Sequence, residues 1–327
     1  MREIRIGFIG TGGMAQVHAE QLLELENVEI KSIADISETA RNQFIVRNDL
    51  QRVEQFTDYQ DMLEQVELDG VVICSPHTLH FEQATAVLEK GLHVLIEKPM
   101  TCSSKEARQL METANRTGKM MQVSYQRHFQ PEFIYIHDII QSGKLGKVTS
   151  ITASLYQQWW RGRQDKYVWR QDPKLSGGGF LMDSGSHIID VLLWTTGLTP
   201  IEISTKLSQQ GAPVEIDTFT SIRFKEGAIA GLNLVGYAPI WHETYVFCGE
   251  KGALFYDNDQ IKVYLSNGEM IIPELPKQTT NQDKSFIDAI LGKHEVKVPG
   301  DFALKVVEFS EMVYKSAGYK PYEMDEE

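Results

Sequence analysis

The chain opens on a short apolar run, Ile4-Arg5-Ile6-Gly7-Phe8-Ile9, that stops at Gly10-Thr11-Gly12-Gly13-Met14-Ala15 and passes at once into the amphipathic stretch MAQVHAEQLLEL. A strand, a glycine turn and a helix in immediate succession leave few folds open. Gly10 permits the tight turn, Gly12 lets the main chain approach a pyrophosphate, and Ala15 is small enough for the helix to lie close on the strand. The helix N-terminus then presents unpaired N–H groups and a positive dipole end to phosphate oxygens.

Glycines in turns are common, so the context decides. VEIKSIAD, residues 28–35, reads as a second strand, and Asp35 ends it 25 positions after Gly10. A carboxylate there accepts ribose hydroxyls and repels a 2′-phosphate. Ile36 and Ser37 follow it, and Arg41 stands one helical turn further on. The expected cofactor is therefore NAD rather than NADP. Cys74-Ser75-Pro76-His77 closes the next long apolar run. Ligands in doubly wound sheets lie beyond the carboxyl ends of the strands, so Ser75, Pro76, His77 and His80 are expected to line the nicotinamide half, with a helix-surface place as the alternative for His80.

Short apolar runs alternate with helical patterns to about residue 126: strands at 3–9, 28–35, 70–75 and 93–99, a weak one near Gln55-Phe56, and helices between them, one opening at Ser37 as N-cap. This is the signature of βαβ units and a parallel sheet. Beyond it lie a helix at 131–146 and strand candidates in VTSITASLYQQW, PIEISTKLSQ, DTFTSIRF, AIAGLNLVGY, ETYVFCG, GALFYD and IKVYLS, with helices at about 183–196, 280–291 and 301–317. Several of these strands alternate polar and apolar residues, as a sheet with one wet face requires. The expected architecture is an α/β Rossmann domain, 1–125, with a doubly wound parallel sheet. An α+β domain, 126–327, with an open, mostly antiparallel sheet follows and serves substrate binding and oligomerisation.

Bulk properties exclude several classes. The 327 residues suit two domains, and 42% hydrophobic with 24% charged residues is ordinary globular composition. A net charge of −13 argues against nucleic acid and anionic membranes as partners. Cys74, Cys102 and Cys248 form no CxxC pair, which gives neither a disulfide framework nor a zinc site and fits a reducing cytoplasm. The N-terminus shows no secretory h-region, and no run of 18 apolar residues spans a bilayer.

Two constellations carry the chemistry. The buried-looking run HVLI ends in Glu97-Lys98-Pro99. Charge at the end of a buried strand is costly unless it serves a site or pairs. Lys98 at a desolvated cleft can bind a substrate hydroxyl and stabilise a developing alkoxide; Glu97 is grouped with it on the cofactor side. The second is Gly177-Gly178-Gly179-Phe180-Leu181-Met182-Asp183-Ser184-Gly185-Ser186-His187-Ile188-Ile189-Asp190. Asp183, His187 and Asp190 stand at i, i+4 and i+7, on one face of a helix. His187 titrates near neutrality and can take an alcohol proton as hydride leaves. Metal ligation is the rival reading; a lysine competing for the same oxygen makes a metal redundant, and none is expected. In residues 156–172, Trp159, Trp160, Tyr167 and Trp169 stand among Arg161, Arg163 and Arg170. Aromatic faces suit the C–H surfaces of sugars and arginines bind hydroxyls or carboxylates. An interface or sheet packing is the alternative for this segment.

The early GxGxxA, Glu97-Lys98-Pro99 and GGGFLMDSGSHIID, in that order, make essentially the whole chain resemble the Gfo/Idh/MocA family, which includes glucose–fructose oxidoreductase and inositol 2-dehydrogenase. The resemblance implies that Lys98 binds the reacting hydroxyl, and that Asp183 and His187 are the second catalytic pair with histidine as proton acceptor. It places Tyr125 and Arg127 on the substrate side, where the 156–172 segment with Trp169 and Arg170 is expected, by its position, to overhang the cleft. It makes Ser75-Pro76-His77 the cofactor turn, where the family often has asparagine at the third position. It also implies a homodimer or homotetramer built through the C-terminal sheet. The expected activity is oxidation of a sugar, inositol or polyol CH–OH group, with Lys98 and the Asp183–His187 helix face meeting at the nicotinamide. The alternatives are an NAD-dependent glycosidase and a catalytically silent dinucleotide-binding regulator.

Overall fold

A computed structural model of the chain describes residues 2–161 and 168–321, and its compact units are Met1–Gln126 with Thr279–Leu304, and Arg127–Gln278 with Lys305–Glu327. The first unit begins with β1 (Ile4–Ile9), α1 (Gly13–Leu23), β2 (Val28–Ala34), α2 (Glu38–Asn48), β3 (Glu54–Phe56) and α3 (Tyr59–Gln65). It continues with β4 (Gly70–Ile73), α4 (His80–Glu89), β5 (His93–Ile96), α5 (Ser104–Thr117) and β6 (Met121–Val123). The strands pair in parallel in the order β3-β2-β1-β4-β5-β6, the doubly wound order, so the order in which strands are added reverses between β1 and β4. Every residue of β4 and the last three of β5 are buried, as a sheet covered on both faces demands. Ser37 caps α2 by accepting from the Ala40 N–H, as its sequence position leads one to expect.

The second unit contains α6 (Pro131–Gln141), β7 (Val148–Gln158), α7 (Pro173–Ser176), α8 (Ser186–Thr196), β8 (Pro200–Ser208), β9 (Asp217–Phe224), β10 (Ile229–Val235) and β11 (Tyr237–Gly249). β12 (Gly252–Asp257), β13 (Gln260–Leu265) and β14 (Met270–Ile271) complete one eight-stranded sheet, ordered β14-β13-β12-β11-β7-β10-β9-β8. Only the central β7–β10 pair is parallel. Period-two alternation divides its faces. Ile222, Leu232, Leu234, Phe247, Leu254 and Val263 are buried, whereas Phe219, Ile229, Phe255 and Tyr264 are exposed on the opposite side.

α9 (Gln282–Ile290) and the start of α10 (Gly300–Ser316) group with the first unit, so the single boundary expected at residue 125 describes only the first crossing. The reason is apolar burial: Phe286 and Ile287 of α9 belong to the same core as Ile4, Phe8, Val72 and Leu95. Backbone pairing adds to it, with the Val123 N–H donating to the Val298 carbonyl at 3.0 Å.

That core also encloses charge. His18 of α1 lies between Asp283 of α9, 2.8 Å from its Nδ1, and Glu97 just past β5, 3.0 Å from its Nε2. All three side chains are buried. Burial opposes protonation of His18, but the charges and hydrogen bonds of Asp283 and Glu97 outweigh it and raise the pKa from 6.5 to about 10. Glu97 is held below the ordinary glutamate value: burial works against this, and the bond to His18 wins. The folded chain therefore keeps a proton that the unfolded chain releases near pH 6.5. The stabilisation is complete below that pH and disappears as pH rises through about 10. Between about pH 7 and 9, urea unfolding should show stability falling by roughly 1 kcal/mol per pH unit more steeply than in His18→Asn. Parallel pH profiles for the two proteins would rule the charged triad out.

Candidate active site

In the first unit the glycine turn is shaped by its neighbours. Gly10 has φ +85°, and a Cβ there would come within 2.8 Å of the Cys74 carbonyl carbon and the Ser75 nitrogen. Only glycine meets both conditions. A Cβ on Gly12 or Gly13 would meet nothing within 4 Å, so the main chain there faces open space. Gly12 is the N-cap of α1, which has no side-chain cap and no acidic residue in its first turn. Its first N–H groups and dipole are thus left for an external anion. Ala15 is fully buried in the core beneath, and Met14 is partly exposed in the first turn. These residues fit a dinucleotide pyrophosphate.

Asp35 follows β2. Its Oδ2 accepts from the Thr11 N–H at 2.8 Å and the Thr11 hydroxyl at 3.1 Å, and its Oδ1 accepts from the Ser37 N–H at 2.8 Å. A carboxylate has about four acceptor positions, so this half-buried group keeps capacity for a ribose hydroxyl. The Arg41 guanidinium donates to the Asp35 backbone carbonyl. An open cleft of about 740 Å³ runs alongside, lined by Thr11, Gly12, Gly13 and Gln16 on one side and by Asn42 and Gln43 of α2 on the other.

Beyond β4, the Ser75 hydroxyl donates to Gln83 at 2.5 Å, and His77 is buried with its ring edge-on to His80, 5.8 Å between centroids. His80 departs from both readings made of it. It is neither on the surface nor turned outward to a cofactor: fully buried, it reaches the Pro99 carbonyl through Nδ1 at 2.8 Å and the Ser75 carbonyl through Nε2 at 3.0 Å. Burial lowers its pKa. The ring braces the Ser75-Pro76 turn against the Lys98–Pro99 turn, whose peptide bond is cis. Glu97, expected on the cofactor side, turns inward to His18. Lys98 beside it is half-buried, whereas Tyr125 after β6, expected on the substrate side, is fully buried within the fold.

In the second unit Arg127 requires a correction. Its guanidinium is buried, donating to Glu243 at 2.7 Å and to the Tyr245 hydroxyl at 3.0 Å, and it lies 5.0 Å over the Phe133 ring. This is a core ion pair rather than a substrate contact.

The triple-glycine segment leads into a π-helical turn, Leu181–Gly185, that continues as α8. Such turns are frequent at functional sites. Asp183 lies in this turn and His187 and Asp190 in α8, and the three meet different surroundings. Asp190 is fully buried and bonded to His128 at 2.8 Å, while His187, the second residue of α8, is half-buried. The His128 ring in turn stacks on Trp194 at 3.9 Å. Asp183 is buried, and its Oδ2 accepts from Trp159 Nε1 at 2.8 Å and from Arg170 Nε at 3.1 Å. Arg170 stacks on Trp169, 4.4 Å from the ring centroid. Trp159 and Trp160 are buried, with the Trp160 indole donating to the Gln210 carbonyl, so neither ring is an open sugar platform. Arg163 and Tyr167 lie outside the described residues.

His18, Asp283 and Trp159's bond to Asp183 were missed from the sequence. One local signal existed: His18 shares the inward face of α1 with Ala15, Ala19 and Leu22, an apolar stripe that calls for an explanation.

Residues 4–125 match the family described as an oxidoreductase family with an NAD-binding Rossmann fold, and residues 133–255 match the GFO/IDH/MocA C-terminal domain. Rhizopine catabolism protein MocA of Rhizobium meliloti is 30% identical over 64% of this chain, a match spanning 62% of its own length. D-glucoside 3-dehydrogenase of Escherichia coli K12 is 25% identical over 96% of this chain and 95% of its own. The fold is shared with levoglucosan dehydrogenase solved with NADH, at TM-score 0.86 and 19% identity over 97% of each chain. The chain belongs to the Gfo/Idh/MocA oxidoreductases, and its first unit is that family's NAD-binding Rossmann domain.

Proposed function

We propose that this oxidoreductase dehydrogenates a CH–OH group of a sugar, inositol or related polyol with NAD. The observation that carries the reading is the Asp183 carboxylate, buried and held by Trp159 and Arg170, four positions before the half-buried His187. A desolvated carboxylate fixed by two donors is prepared to orient a hydroxyl or an imidazole. Similarity to a glucoside dehydrogenase along nearly the whole chain supports the substrate class.

Bound NAD supplies the hydride acceptor. Gly10 to Ala15 and Asp35 hold it, and Ser75, Pro76 and His77 line its reactive half. Lys98 binds the reacting hydroxyl and stabilises negative charge on its oxygen. His187 accepts the hydroxyl proton, and Asp183 keeps donor and acceptor aligned. Trp169 and Arg170 contribute on the substrate side. The exposed Phe219, Ile229, Phe255 and Tyr264 make the outer face of the eight-stranded sheet the surface through which copies associate. Among the described residues no helix is long and apolar enough to cross a membrane.

A panel of inositols, aldoses and sugar acids, followed by reduced-nicotinamide absorbance, should reveal one class that His187→Ala turns over about 10²–10⁴-fold more slowly with NADH affinity retained. Near-normal turnover would sink the base assignment. Asp35→Asn should weaken NADH binding roughly tenfold in a fluorescence titration and narrow the preference over NADPH; an unchanged preference refutes the ribose role. Phe255→Lys should shift the protein towards monomer in light scattering, and an unaltered mass would exclude the sheet face.

A further inference from the structure

Glu215 lies between β8 and β9 and is fully buried. Its Oε1 accepts from the Gly179 N–H at 2.8 Å, from the Leu181 N–H at 3.1 Å and from the Tyr314 hydroxyl at 2.9 Å. Its backbone carbonyl accepts from the Phe180 N–H at 2.9 Å. A Cβ on Gly179 would fall 2.0 Å from that carbonyl oxygen, and one on Gly178 would fall 2.3 Å from the Tyr314 hydroxyl. The glycines are thus required by close approach, because Glu215 and Tyr314 fill the space their side chains would need. Directly after them comes the π-turn that carries Asp183.

We propose that Glu215 is a positioning residue: its carboxylate latches the Gly179 and Leu181 amides and thereby fixes the turn that presents Asp183 to Trp159 and Arg170. The latch stands on its own geometry; its catalytic consequence rests on the role proposed for Asp183.

The latch depends on charge. The titratable groups that face Glu215 are Tyr314 of α10 and Tyr319 beyond that helix's end. Burial pushes the Glu215 acid up from 4.5 to about 7, against the lowering effect of the Tyr314 hydroxyl and the amides. The ionised group offers acceptors on both oxygens to those N–H and O–H groups. Once protonated, one oxygen becomes a donor facing donors, and the grip weakens as pH falls through about 7. Global stability moves the other way. A raised acid pKa means that the folded chain binds the proton first, so this group's contribution rises as pH falls from about 7 to 4.5. A carboxylate with a merely structural role would not loosen one segment while the whole chain gains stability.

The test is amide hydrogen exchange of the intact protein, corrected for intrinsic rates, in peptides covering 178–187. About tenfold more of the ionised form exists at pH 8 than at pH 6, and protection there should drop by about that factor at the lower pH. Glu215→Gln should show the low protection at both pH values. Tyr314→Phe keeps the carboxylate but removes a donor to its charged form, and should move the midpoint upward; it serves if the glutamine variant does not fold. Wild-type protection in Glu215→Gln at both pH values, or an unmoved midpoint in Tyr314→Phe, would overturn the latch. Exchange needs no substrate, so the latch survives even if Asp183→Asn proves fully active, a result that would instead remove the catalytic reading of Asp183.

Discussion

One imidazole shared by two buried carboxylates organises the first unit. His18 contacts Asp283 across 265 positions of sequence and Glu97 across 79. It thereby joins the helix that opens the phosphate cradle, the turn that carries Lys98 and the returning helix α9. Such a cluster is expensive to bury and collapses energetically if one member is removed, since breaking a buried pair costs about 3–5 kcal/mol. An α1 rotated out of register would leave uncompensated charge in the core.

The two units solve a common problem in the same way. Each has a glycine-rich main chain that must be bare and yet fixed. In the first, Asp35 holds the Thr11 amide of the Gly10–Ala15 turn. In the second, Glu215 holds the Gly179 amide of the triple-glycine segment. Glycine gives close approach but costs conformational entropy, and a carboxylate accepting from the backbone restores order without a side chain in the way. Asp35 remains half-buried and able to face a ligand, whereas Glu215 is sealed inside. That difference in exposure separates a group able to meet cofactor from one that acts through the backbone.

Much of this was legible in the amino-acid order. The β1–α1 turn, Asp35 at the end of β2 and most strands of both sheets announce themselves through local periodicity and glycine chemistry, which need no distant partner to be read; the short β14 does not. What stayed hidden depends on partners far away in sequence. The reading of His80 as a surface or cofactor residue fails because its acceptors are carbonyls at Ser75 and Pro99. Arg127 falls on the substrate side by the family resemblance alone; its partners Glu243 and Tyr245 lie more than a hundred residues later. The Asp183–His187–Asp190 spacing assumes an unbroken α-helix, and no spacing rule reveals the π-turn that holds Asp183 or the distant partners Trp159 and His128.

The return of α9 to the first unit has a consequence for how the chain matures during synthesis. The Rossmann strands emerge from the ribosome first, but Phe286 and Ile287 of their core and the Asp283 counter-charge of His18 are made only after every strand of the other sheet. Until then the nascent unit has an unfilled apolar groove and an imidazole lacking one of its two carboxylates. Domain-by-domain folding in order of translation is thereby closed to it. The N-terminal half is made first and completed only after the second sheet.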